Sequence, residues 1–361
     1  MKAFLKTLSV IVLLIFFQQS LFAGLVTGKS EINMASDTAG QRNPAAVAPY
    51  GLVNIFNNPA PGAQVAAIGN ITRYRSSGFQ CSGIFNTAKE HYGAQVAGII
   101  NTAGKISGIQ IGGLVNTSGN GNCVQLAGLV NTARSDTSAR GSRQPLQVSG
   151  LVNTSYGANA QIAGIGNIDL SPAEVQVAGI FNRCSSSTGS QIAGIANICS
   201  GSRGVQVAGI VNRCSYFRGA QIGLINIADS CNGVQVGLLN IVRVKGYMKL
   251  EISGDEMFYT NIGFRSGVRK LHAIASIGIK PDDLNGPLWN TGLGMGTMFA
   301  LSSRTSLSID AMHYQVYYGH HCGENYLTRL NVGIDQAISP KISLYSGLTF
   351  NLLVTDDDDP M

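Results

Sequence analysis

The sequence predicts an all-β protein: a β-solenoid of about twelve 15-residue repeats followed by an antiparallel β-barrel-like or sandwich domain. Three observations predict it. A short motif beginning in Gln and ending in Asn recurs through the middle of the chain at nearly constant spacing. The chain is 45% apolar and holds 45 glycines, yet only 12% of its residues are charged, about half the fraction of an ordinary soluble domain. Beyond the repeats, large and small residues alternate in strand-length stretches. So much Ile, Val and Leu also argues against disorder, which goes with low hydrophobicity and high net charge.

The elements follow in order. Residues 1–23 read as a signal peptide: Lys2 and Lys6 form a basic start, and Leu8 to Phe17 (LSVIVLLIFF) forms an apolar core. That core is of signal length and shorter than the roughly 20 residues of a membrane-spanning helix. Cleavage after Ala23 is expected, with Leu21 larger than the usual small residue. No Cys stands at 24 or 25 to carry a lipid, so the expectation is plain export. Residues 24–49 are a lead-in.

Residues 50–246 are the repeat region. The unit reads Gln-(Val/Ile/Leu)-(Ala/Gly/Ser)-Gly-(Ile/Leu)-x-Asn, and its Gln recurs from Gln64 through Gln95, Gln110 and Gln125 to Gln235. Spacings are 14 to 16 residues, with one of 22 that holds an extra loop around Ser135 to Arg143. A partial unit, Gly51-Leu52-Val53-Asn54, precedes the first Gln. Two apolar columns three residues apart cannot share one face of a straight strand, because side chains repeat every two residues. A glycine corner between them resolves this, so each unit is expected to be two short arms joined at a bend, plus a variable loop of about six residues. One unit cannot bury its apolar columns alone and must stack on its neighbours. Stacking sets Asn101, Asn116 and Asn131 in one column and Gln95, Gln110 and Gln125 in another, so that side-chain amides form ladders. The competing arrangement, one strand per unit in an antiparallel or membrane-barrel meander, puts successive Asn residues at opposite rims. It gives no reason for the same residue in the same phase every time. The last two units, QIGLIN and QVGLLN, drop one residue and mark a change of geometry.

Residues 247–361 are expected to form the second β domain, ending in an acidic tail, Asp356 to Asp359. Strand-like stretches run Glu256–Ser266, Leu271–Lys280, Trp289–Leu301, Ser306–Tyr317, Tyr326–Ile338 and Ile342–Val354. In Trp289–Leu301 one face is large and apolar and the other is small, including Gly292, Gly294 and Gly296. This suits a strongly curved sheet. Strands of nine to thirteen residues would cross a bilayer, so barrel and sandwich both stay open.

The chemistry is sparse. The net charge of +6 falls to +4 once Lys2 and Lys6 leave, and no basic run marks a nucleic-acid patch. Cys184, Cys199 and Cys214 each stand two residues after a unit's Asn and stack on successive turns, within disulfide range or as packed free thiols. His320, His321, Cys322 and Glu324 are the densest set of metal-ligand types, but within a single short loop they are better read as a polar hairpin than as a metal site. Thr87, Thr102, Thr117, Thr132 and Thr154 follow the unit's Asn and form a short column, more simply strand residues than a water-ordering face. The glycines at 292, 294 and 296 precede no helix, which rules out a phosphate loop. No catalytic residue, cofactor site or metal site is predicted.

The unit Gln-(Val/Ile)-Ala-Gly-Ile-x-Asn, with the terminal QIGLIN and QVGLLN forms, resembles the bacterial surface-repeat proteins, exported chains with repeats near GVQIG-LVN. The stretches EMFYTNIGFRSG (from Glu256), Leu293–Leu301 and ISLYSGLTFNLLVTD (from Ile342) look like the β region that follows those repeats. The likeness spans about residues 50–356, and the 15-residue unit and the 22-residue spacing depart from it. It implies a cell-surface or outer-membrane location, an unidentified extracellular ligand, and no chemistry. The expectation is an exported structural or adhesive protein without catalytic activity. The alternative is an outer-membrane β-barrel for transport or permeability.

Overall fold

The structure, a computed structural model, describes residues 33–34, 51–57, 59–134, 144–281, 286–318 and 321–355. The signal peptide, most of the lead-in, the Ser135–Arg143 loop and the acidic tail lie outside the described residues.

All regular structure there is β. A parallel β-solenoid of about twelve turns precedes a seven-stranded antiparallel sheet. Turns pair in register: Asn86 on Asn101 on Asn116, and Gln80 on Gln95 on Gln110. At about 4.8 Å per turn the stack is about 58 Å long. The longer 22-residue unit leaves the register intact, with Gln125 on Gln147 and Asn131 on Asn153.

Each turn bends at the expected glycine. A Cβ on Gly98 would lie 2.1 Å from the Gly83 carbonyl oxygen, and one on Gly113 would lie 1.9 Å from that of Gly98. The corner is therefore a close approach of stacked backbones that admits no side chain. The variable stretch differs from expectation. In several turns it is not a loop but part of one continuous strand, Phe85–Ala97, Ile100–Gly112 or Val115–Ala127. Constant unit length is the physical reason: equal spacing lets Lys105 pair with Asn120 as readily as Gln110 pairs with Gln125.

The larger correction concerns which residues are inside. Every Gln and Asn of the two columns is buried, Asn54 to Asn240 and Gln64 to Gln235. The apolar columns that were expected to form the core point outward: Ile99, Ile111, Ile162 and Ile192 are all exposed. Alternation explains it. In Gln-Val-Ala the Gln and the Ala share one side of the strand, so the apolar residue between them points out. Ala88, Ala103, Ser118 and Ala133 fill the remaining interior column.

The chain leaves the solenoid through Lys245, which has φ 60, and Gly246. Seven strands follow: β1 (Tyr247–Ser253), β2 (Thr260–Val268), β3 (Leu271–Lys280), β4 (Leu288–Ala300), β5 (Thr305–Tyr318), β6 (His321–Ala337) and β7 (Ser343–Val354). They form one antiparallel meander in chain order. A single sheet excludes the sandwich. The β2–β3 end sits on the last solenoid turn, where the Asn240 backbone N–H donates to Ser266 Oγ at 3.2 Å. β1 lies ahead of the stretches named from the sequence, and the stretch from Glu256 begins as a turn. Asp255 Oδ1 accepts the N–H groups of Met257 and Phe258 and delays the next strand to Thr260.

Candidate functional site

The first feature is the pair of amide ladders. Each Gln Nε2 donates to the Gln Oε1 of the preceding turn, from Gln80 on Gln64 to Gln235 on Gln221, at distances such as 2.7 Å for Gln95 on Gln80. Each Asn Nδ2 donates to the Asn Oδ1 of the following turn, 3.0 Å for Asn101 on Asn116 and for Asn116 on Asn131. The second Asn hydrogen fixes this assignment: Asn101 Nδ2 also donates to the Ile111 carbonyl at 2.7 Å, which only an N–H can do. The two ladders thus point their amides in opposite directions along the rod, so their dipoles cancel. Gln110 and Gln125 continue the Gln ladder at 2.9 Å. At the exit the Gln235 Oε1 is left without a donor, the open end of its ladder. All the predicted ladder residues are brought together, inside the rod rather than on a projecting face.

The cysteine column is also interior. Cys184 stacks on Cys199 and Cys199 on Cys214, with the last two sulfurs 3.2 Å apart. Gln191 Nε2 and Gln206 Nε2 donate to Cys184 and Cys199 Sγ, each at 3.3 Å. All three are thiols in the structure, and Cys231, five residues beyond its unit's Asn rather than two, packs against them. The hydrogen bond with the Cys184 thiol and then burial push Cys199 up to about 12, so it stays protonated at neutral pH. His91, also interior, has Nδ1 2.8 Å from Ser76 Oγ, and burial lowers it to about 4. The threonines at 87, 102, 117, 132 and 154 lie on the outer side of the Asn-bearing arm, Thr87 exposed and the other four half-buried.

The second feature is the outer surface of the seven-stranded sheet. Its outward positions include Leu250, Ile252, Ile277, Leu293, Phe299, Leu344, Leu348, Phe350 and Leu352, with Leu348 70% exposed. Among the strand residues whose side chains are described, no outward position is Asp, Glu, Lys or Arg. Trp289 stacks on Tyr317 at 4.0 Å and His313 on Tyr326 at 5.6 Å on that surface.

The charges lie on the concave side. Arg265 Nε donates to Glu251 at 2.8 Å and its Nη1 to Asp310 at 2.9 Å. Lys249 pairs with Asp335, and Arg329 with Asp255. A cavity of about 410 Å³ opens between β1 and β7, lined by Lys249, Glu251, Arg265, Arg329, Tyr345 and Thr349 among others. Glu256 reaches across from the β1 end to Thr349 at 2.6 Å and to Asn351. The small inner face of β4 is what makes room. A Cβ on Gly292 would strike the Tyr314 ring, and one on Gly296 would strike Asp310 and His272. These glycines are a packing device.

Of the His320–Glu324 loop, His320 lies outside the described residues, and the side chains of His321, Cys322 and Glu324 are not described. Among the described residues no group of three or more His, Cys, Asp or Glu is placed to hold a metal, and no helix is long and apolar enough to cross a membrane. The apolar exterior of both parts was missed at the sequence level. One signal could have revealed it: Gln and Asn never vary between units, while the adjacent apolar columns drift among Val, Ile, Leu, Phe and Cys. A ladder needs one geometry; an outer face needs only to be apolar. Comparison with family models, curated proteins and solved structures finds no match to this chain.

Proposed function

We propose that the chain is an exported, non-catalytic surface protein whose C-terminal sheet anchors it in an outer membrane and whose solenoid forms a rigid rod. The charge-free outer surface of the seven strands, with every paired charge on the concave side, carries this reading. Apolar-out and polar-in is the pattern of membrane β-barrels, because lipid offers no partner to a charge. β4 and β5, with 13 and 14 residues, exceed the roughly 9–11 residues that a tilted crossing needs. The amide ladders suit a load-bearing rod, since each inner polar group is tied to the turns above and below.

The rival role, transport, is less well supported. Arg265, Arg329 and Lys249 are each paired with a carboxylate across the interior, and Tyr314, Met312 and Phe258 fill much of it. A curved sheet whose concave side is filled by side chains suits an anchor rather than a pore. The test is fractionation of cells expressing the full chain, followed by detergent extraction and gel migration with and without heating. Recovery in the outer membrane with heat-modifiable migration is the expected result. A protein found soluble without detergent, or in the inner membrane, would overturn the reading.

A further inference from the structure

The outer face of the Gln-bearing arm is built from two columns, the residue before each Gln and the residue after it. From Gln64 to Gln235 neither column contains a charge, and Ser190 is the one hydroxyl. The face runs about 53 Å and is about 14 Å wide, roughly 700 Å². Monomers seldom leave an apolar patch of that size open.

The face is also corrugated in a regular way. Over the last seven turns the residue after Gln alternates: Val148, Ile162, Val177, Ile192, Val207, Ile222, Val236. The residue before Gln alternates in the opposite phase: Leu146, Ala160, Val175, Ser190, Val205, Ala220, Val234. Exposure follows the pattern, with Ile162 at 46%, Ile192 at 46% and Ile222 at 44% standing above small neighbours. Parallel in-register pairing of the turns keeps the two columns straight, so the bumps form a checkerboard.

We propose that this face binds the same face of a second copy, the two rods lying side by side and pointing the same way. A two-fold axis parallel to the rod swaps left and right but keeps height. The column before Gln in one copy then faces the column after Gln in the other, row for row. Ile162 meets Ala160 of the second copy, Ile192 meets Ser190, Ile222 meets Ala220, and the intervening rows pair Val with Val. Within these last seven turns each facing pair sums to a similar volume, which is what close packing at about 10 Å between sheets requires. Turning the second copy end over end instead sets each column against itself, so Ile and Val face one another along one column while Ala, Ser and Val face one another along the other, and the two columns no longer sum to similar volumes. A lipid surface has no use for the corrugation. The area is close to the roughly 800 Å² per partner of a standard stable interface. The proposal rests on the solenoid surface alone and stands whether or not the sheet enters a membrane.

The experiment uses the purified full chain in mild detergent, with a spin label on an unnatural amino acid at Ile99 or, separately, at Leu151. Both positions are exposed on the corner beside the face but outside it. The parallel pair predicts one intermolecular distance of about 20–30 Å, the same at both sites. Ile192→Lys should abolish the coupling, while Ile198→Lys on the outer side of the Asn-bearing arm should keep it, far-UV circular dichroism showing both variants folded. Unequal distances at the two sites would mean an antiparallel pair. Absence of coupling, with the labels protected by detergent or lipid, would mean a lipid-facing surface. Either result overturns the proposal.

Discussion

Replacing Asn116 by alanine tests the inverted interior most sharply when set beside Ile111→Ala in the same unit. Asn116 Nδ2 donates to Asn131 Oδ1 at 3.0 Å and to the Leu126 carbonyl at 2.7 Å. Its Oδ1 accepts from Asn101 Nδ2, also at 3.0 Å. Alanine removes all of these and leaves the Asn131 oxygen and one Asn101 hydrogen without partners in a space closed to water. At about 1–3 kcal/mol per orphaned buried group, the expected loss for the two is roughly 2–6 kcal/mol. Ile111 is 42% exposed, so trimming it forfeits only part of its burial, about 1 kcal/mol. Guanidinium unfolding of the full chain, followed by far-UV circular dichroism, reads both. The Asn116 variant should unfold at a much lower denaturant concentration than the Ile111 variant. Were Ile111→Ala the more damaging change, the apolar columns would be the core after all, and the account of the solenoid would be wrong.

Other expectations follow from the same geometry. Gly98→Ala places a methyl 2.1 Å from the Gly83 carbonyl oxygen and should cost about 3 kcal/mol or prevent folding, read by the same unfolding curve. His91 sits at about 4 against an ordinary 6.5, so the unfolded chain binds its proton first as pH falls. Its contribution is whole above about 6.5 and lost on the way to 4, reaching about 2 kcal/mol at pH 5. His91→Gln should flatten that part of the stability–pH profile, and an unchanged profile would count against the burial. Leu348→Arg puts a charge on the outward face of β7 and should reduce insertion by about 2–4 kcal/mol. Membrane recovery of that variant equal to that of the parent would speak against anchoring.

The stacking was legible from the sequence because the Gln and Asn columns recur with one phase and one length. The corner was legible for the same reason: Gly83, Gly98 and Gly113 fall between two columns that a straight strand cannot hold on one face. What the sequence hid was the direction of each side chain. Two apolar columns beside two polar ones read as core and surface, and only the side-chain bonds between Gln95 and Gln80, or Asn101 and Asn116, make the polar columns the inside. The same inversion recurs in the C-terminal sheet. There the alternation in Trp289–Leu301 was read correctly as large against small, but not which side faces the interior. The start of β1 is hard to place from the sequence because only Lys245 and Gly246 separate it from the last solenoid strand. The cysteine column was legible from spacing alone, whereas the approach of Cys231 depends on Phe217 pairing with it across turns.

The proposed anchoring requires that the seven strands present one apolar face to lipid and keep their charges on the other. It is tested most directly by fluorescence quenching in reconstituted bilayers, with a probe placed in turn at 343, 344, 345, 346, 347 and 348 along β7. The account predicts alternation, with quenching by brominated lipid at 344, 346 and 348 and little at 343, 345 and 347. Uniform quenching by an aqueous agent at all six positions would contradict it.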